Sequence, residues 1–198
     1  MLKVFSDMLI TALYAMVVQN LVLTASYGLS ESIRTAKRPK HFVMYGASVT
    51  FFCFFTSLFC SLICRIPALS NLPFKISYII FIVVLSVLYL SAGAFCKKVL
   101  HADKKFMNSL SMCAFNTLVI ALPGINLKAG STVGTAVALG FGAGLAFVLS
   151  MVLIRNGMRH INKNPHIPEF FKGTPALFIY VSLIALALSC ISGEALFL

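Results

Sequence analysis

The chain has 198 residues, of which 60% are hydrophobic and 11% charged, and Lys plus Arg outnumber Asp plus Glu by 16 to 5. A soluble domain of this length exposes far more charge, so the composition excludes a soluble enzyme and describes a polytopic membrane protein. The basic residues sit in short clusters between apolar runs rather than on an aromatic-bearing face, which excludes nucleic acid and points to membrane lipid as a partner.

Six apolar runs follow one another at 5–29, 43–64, 76–96, 109–127, 132–154 and 174–197. Each is close to the ~20 residues that a bilayer-crossing helix needs. The opening stretch resembles a signal peptide because Lys3 precedes an apolar run. No small-x-small cleavage site precedes Asn20, so it is read as a retained span.

The first run carries Asn20 and then Gly28; the fourth carries Asn116 and then Pro123-Gly124. A carboxamide in hydrocarbon must find a partner, and Gly or Pro frees backbone groups that must find partners too. Such segments face protein or a water-filled path rather than lipid. The first and fourth segments are therefore expected to be discontinuous, with Asn20, Asn116, Gly28, Pro123 and Gly124 near the midplane as the functional centre. The plainer reading of the two Asn residues is that they tie the broken helices together.

The second and third runs are ordinary spans. Cys53, Cys60 and Cys64 fall on one helix face, where small side chains favour packing. The six Cys form no C-x-x-C and read as buried small residues or cofactor ligands rather than disulfides. In the fifth run Gly140, Gly142 and Gly144 follow no strand, so close helix packing accounts for them better than phosphate binding. His160 and His166 read as solvated loop residues. Asp7, Glu31, Asp103, Glu169 and Glu194 fall at ends or loops, so no carboxylate is expected mid-membrane. No catalytic triad, Walker loop or flavin-attachment signature appears, and no catalytic or metal-binding residue is assigned.

Loop charge sets the orientation. Arg34, Lys37, Arg38 and Lys40 follow the first run; Lys97, Lys98, Lys104 and Lys105 the third; Arg155, Arg159, Lys163 and Lys172 the fifth. The other loops hold only Arg65 with Lys75, and Lys128. The positive-inside rule places loops 31–42, 97–108 and 155–173 in the cytoplasm and both termini outside, in a bacterial or archaeal plasma (inner) membrane.

The halves echo each other. Asn20 returns as Asn116 and Tyr45-Gly46-Ala47 as Phe141-Gly142-Ala143, both 96 residues later. Phe74-Lys75 returns as Phe171-Lys172 and Ile80-Phe81-Ile82 as Leu177-Phe178-Ile179, both at an offset of 97. Three spans per half is an odd number, so the copies insert with opposite orientation as an inverted repeat. The expected fold is one all-α membrane domain over 1–198. It has six transmembrane helices in two inverted three-helix halves, about 1–96 and 97–198, with the first and fourth helices discontinuous.

Asn20-Leu21-Val22-Leu23 with Gly28-Leu29, Tyr45-Gly46, Asn116, the run Gly140 to Gly144, and Pro168-Glu169-Phe170-Phe171-Lys172-Gly173 together resemble the Rnf/Nqr family of membrane electron-transfer complexes. The match is to the paired six-helix subunits, Rnf A and E or Nqr D and E, and covers nearly the whole chain. The family's turn before the last helix reads Pro-x-x-x-Arg-Gly, with Lys172 here in place of the Arg. The resemblance implies a complex that passes electrons between carriers while moving Na⁺ or H⁺. In it, two sister subunits of opposite orientation each lend two Cys to one [2Fe–2S] cluster.

By that resemblance the two ligand positions are Ser30, ten residues after Asn20, and Thr117, directly after Asn116. Both lack sulfur, and a neutral hydroxyl is a poor ligand for such a cluster. The shared cluster is therefore not carried over. Cys113, one helical turn before Thr117, is the thiol that could substitute, although a buried Cys is more often a small core residue. The implied role is an integral subunit or subunit-like paralogue of an Rnf/Nqr-type complex, at most part of an ion-translocating oxidoreductase, partnered by a sister six-helix subunit. The alternative is a stand-alone inverted-repeat transporter or channel for a small solute or ion, and the plainest reading is a membrane scaffold.

Overall fold

The computed structural model describes residues 2–37, 42–67, 73–99 and 104–192, and these are helical with no strand among them. Helix α1 (Leu2–Leu13) runs into a π-helical turn at Tyr14–Val18, and after an irregular stretch α2 (Leu29–Ala36) begins. There follow α3 (Phe42–Ile63), α4 (Phe74–Val99), α5 (Lys104–Ala114), α6 (Thr117–Lys128), α7 (Val133–Lys163) and α8 (Thr174–Ser192). Among the described residues five stretches are long and apolar enough to cross a membrane: Phe42–Ile63, Phe74–Lys98, Phe106–Lys128, Val133–Lys163 and Thr174–Ile191.

Helices overrun the hydropathy boundaries. The 31–42 loop contains most of α2, α4 continues through Lys97 and Lys98, and α7 continues through Arg155 and Arg159 to Lys163. Lys and Arg are good helix formers, so a helix need not end where the apolar run does. Arg38 and Lys40 in the first loop, Asp103 in the third and Glu194 near the end lie outside the described residues.

The core is built on the antiparallel crossing of α3 and α7. Gly46 lies against Val148 and Met151, Gly144 against Thr50, and Gly140 against Ser57 and the Cys53 carbonyl. Residue numbers rise along one helix as they fall along the other. A Cβ on Gly144 would sit 2.6 Å from Thr50 Cα, so only glycine permits this approach. Gly142 faces the other way, where a Cβ would meet the Ala12 carbonyl at 2.5 Å. The alternating glycines thus let α7 pack closely on α3 and α1 at once.

Around this axis Leu21, Val22, Phe52, Leu118, Leu122, Phe147 and Met151 are fully buried. Helix α8 is attached through Tyr180, whose hydroxyl donates to the Leu153 carbonyl at 3.2 Å. At one end of the bundle Arg155 lies over the Phe42 ring, 5.3 Å from its centroid, in a cation–π contact.

Candidate functional site at the paired helix breaks

The first break is organised by Asn20, which is fully buried. Its side-chain oxygen accepts from the Val22 and Leu23 N–H groups at 3.1 and 3.2 Å, in the manner of an N-cap. The same oxygen accepts from the Ser150 hydroxyl at 3.3 Å. Its amide donates to the Met16 carbonyl at 3.1 Å and the Ala146 carbonyl at 3.5 Å. One carboxamide therefore closes the arriving helix, starts the next turn and fastens both to α7. This supplies the partners that freed backbone groups require inside a membrane.

The chain then passes Ser26 and Gly28, both left-handed, with φ of 61° and 73°. At Gly28 glycine is needed twice over. An L side chain rarely adopts this φ, and a Cβ would come 2.5 Å from Asn116 Oδ1.

The second break lies at Phe115–Asn116. Asn116 is buried and N-caps α6, its oxygen accepting from the Leu118 N–H at 3.1 Å. Its amide nitrogen is buried without a partner among the described residues. The two breaks meet directly, since the Gly28 N–H donates to the Thr117 hydroxyl at 2.7 Å. Gly28, Asn116 and Thr117 are thus brought together, while Asn20 bonds instead to α7. Ser30 and Thr117 are both exposed on the outside of the bundle.

Two expectations need correction. Pro123-Gly124 does not interrupt the fourth segment: α6 runs through Pro123, and the break falls seven residues earlier. Pro123 has no N–H for the Val119 carbonyl, yet the helix holds. The Tyr78 hydroxyl donates to the adjoining Ile120 carbonyl at 2.8 Å, and the Tyr78 ring packs on Gly124. Cys113, in turn, is not on one continuous helix with Thr117. It is buried on α5, before the break, with its sulfur 4.0 Å from the Tyr45 carbonyl.

Other polar groups emerge only in three dimensions. Glu31 is half-buried in the first turn of α2, where a carboxylate suits the helix dipole. It pairs with Arg34 at 2.8 Å and accepts from the Tyr45 hydroxyl at 3.4 Å. Gln19, beside the π turn, is 2% exposed, and neither of its side-chain polar atoms has a partner among the described residues. A cleft of about 140 Å³ lies among α3, α4 and α6, lined by Cys60, Ser61, Cys64, Arg65, Asn126 and Ser131 with neighbouring apolar residues. The Asn126 amide donates to Ser57 at 3.2 Å, but its oxygen and the Thr56 hydroxyl are buried without partners among the described residues. Cys53, about two turns before Cys60 on α3, is fully buried. Among the described residues no group of three or more His, Cys, Asp or Glu could hold a metal ion.

Residues 8–194 match the family model described as Rnf-Nqr subunit, membrane protein. The chain is similar to the A-type subunit of the ion-translocating oxidoreductase complex from Rhodobacter capsulatus, 24% identical over 191 residues, covering 94% of this chain and 97% of that one. It is similar to the protein of the same name from Syntrophotalea carbinolica, 26% identical over 193 residues with the same coverage, 94% and 97%. A third relative of that name, from Aromatoleum aromaticum, is 34% identical over 84 residues, covering 42% of this chain and 43% of that one.

Proposed function

The chain belongs to the Rnf-Nqr subunit family of membrane proteins, and from that premise we propose that it is an integral subunit, or subunit-like paralogue, of an ion-translocating electron-transport complex. The reading is carried by the paired breaks. Hydroxyls and left-handed backbone reach the outer surface of the bundle at Ser26, Ser30 and Thr117, within an otherwise apolar chain. Irregular backbone is not tolerated against lipid, so a protein face covers it, and a sister six-helix subunit suits that face.

The finer architecture belongs to the same proposal. The broken first segment and the five long apolar stretches amount to six crossings in two inverted halves. The antiparallel α3–α7 crossing supports this, because α3 and α7 carry the equivalent stretches Tyr45-Gly46-Ala47 and Phe141-Gly142-Ala143, and two copies of one helix run in opposite directions in an inverted repeat. The Arg155–Phe42 contact supports a common cytoplasmic side for the loops at 31–42 and 155–173. The basic loop at 97–108 joins them there by charge, leaving both termini outside.

Ser30 and Thr117 do not fit an iron–sulfur cluster. Both are hydroxyls, and that of Thr117 already accepts from Gly28. The role proposed here is thus structural: the chain pairs with a sister subunit, and together they shape the path between them. Gentle detergent extraction of the tagged chain, with mass spectrometry of what accompanies it, is the test. Recovery of a sister six-helix subunit in fixed stoichiometry is expected, and recovery of the chain alone would overturn the reading.

The polar cleft favours a second reading, a stand-alone path for a small solute or ion. Buried oxygens without partners call for water or an ion. Ag⁺, a small cation that reacts with thiols, is then expected to modify Cys60 in the folded protein while sparing Cys53. Equal protection of the two thiols would sink this reading.

A further inference from the structure

An open apolar groove of about 620 Å³ lies between α3, α4 and α5. Its α3 wall is the stripe Ala47, Phe51, Phe55 and Phe59, spaced four residues apart and so on one helix face. On the facing helix α4, the small side chain of Ala92 forms a floor between the phenylalanine side chains. From Ala47 to Phe59 the groove follows α3 for roughly 18 Å. That is the length of an extended lipid chain rather than of a compact solute.

One end of the groove leads to basic residues. Cys96 and Phe106 mark one end, and Lys97 and Lys98 follow Cys96 directly, exposed in the last turn of α4. Lys104 and Lys105 immediately precede Phe106 in the chain. Neither Lys97 nor Lys98 has a carboxylate partner among the described residues. An apolar trough that ends at ammonium groups without a carboxylate partner among the described residues is complementary to an amphiphile with an anionic head. Basic pockets between transmembrane helices recognise such headgroups.

We propose that this groove binds an anionic phospholipid, one acyl chain lying along Ala47, Phe51, Phe55 and Phe59 and the phosphate meeting Lys97 and Lys98. The site goes beyond the subunit reading and uses none of the residues at the helix breaks. It would hold whether the chain works within a complex or alone.

The test is native mass spectrometry of the full chain, together with any subunits that accompany it, titrated with phosphatidylglycerol or phosphatidylcholine. Phosphatidylglycerol is expected to be retained preferentially. Substituting Lys97→Gln and Lys98→Gln together, at exposed positions that do not support the core, is expected to lower its affinity about tenfold or more while leaving phosphatidylcholine unchanged. Ala92→Phe, which fills the floor, is expected to reduce retention as well. Equal retention of the two lipids, or indifference to the lysine substitutions, would overturn the proposal. So would a photo-crosslinker at Phe95 that captures a protein helix in place of lipid.

Discussion

The Gly28 N–H and the Thr117 hydroxyl are joined across 2.7 Å by a hydrogen bond that links two helix breaks 89 residues apart. The bond makes one site of two interruptions that would each be a local defect. It also explains why the hydroxyl at Thr117 is held in a fixed orientation while the side chain remains exposed.

Gly28→Ala separates steric contact from backbone strain. Gly130 has a similar φ of 58°, but a methyl group there would meet nothing within 4 Å, whereas at Gly28 Asn116 Oδ1 lies at 2.5 Å. Gly130→Ala is expected to cost about 1 kcal/mol and Gly28→Ala about 2–3 kcal/mol, read as unfolding in detergent. Equal losses would mean that Asn116 moves freely aside.

Asn20→Leu is expected to be more damaging than Asn116→Leu. Asn20 holds two backbone N–H groups, the Ser150 hydroxyl and two carbonyls, while Asn116 caps a single N–H. Losses of about 3 and about 1 kcal/mol are expected, measured by thermal or denaturant unfolding. The opposite order would show that the two Asn side chains do not act as these contacts imply.

Tyr78→Phe removes the hydroxyl that donates to the Ile120 carbonyl beside Pro123. A loss of about 1 kcal/mol is expected, with faster hydrogen exchange confined to α6. Unchanged exchange would show that the turn around Pro123 holds without Tyr78.

Iron and acid-labile sulfide in the purified protein address the cluster directly. The chain with native Ser30 and Thr117 is expected to be colourless and iron-free unless a partner brings its own thiolates. Ser30→Cys with Thr117→Cys, coexpressed with the sister subunit, is expected to gain iron and a dithionite-bleachable visible band. A reducible cluster in the native chain purified without partners would show that the hydroxyls are not the deciding feature.

The breaks were legible in the sequence because an Asn within an apolar run has few other uses. Asn116 caps the resumed helix α6, and Asn20 caps the irregular turn that follows the first break, as a carboxamide short of partners must. Pro123 misleads for a definite reason: a proline ends a helix only if nothing else satisfies its surroundings, and Tyr78, 45 residues away in sequence, lies alongside. Gln19, Thr56 and Asn126 were not legible. Each is a common polar residue whose significance lies in the partner it lacks, and that depends on how the helices are arranged. The packing role of Gly140, Gly142 and Gly144 could be read, but not that neighbouring glycines serve opposite faces.

The contacts of Asn20 carry a consequence for how the protein is made. Its carbonyl and hydroxyl partners on α7, Ala146 and Ser150, lie 126 and 130 residues further along the chain. At ribosomal speeds of about 5–20 residues per second, the first segment waits roughly 6 to 25 s for them. During that interval its polar groups must be sheltered by the insertion machinery or by water at the interface. Slowing translation between the two halves would lengthen the wait, and expose the nascent first segment to membrane proteases before its anchor exists.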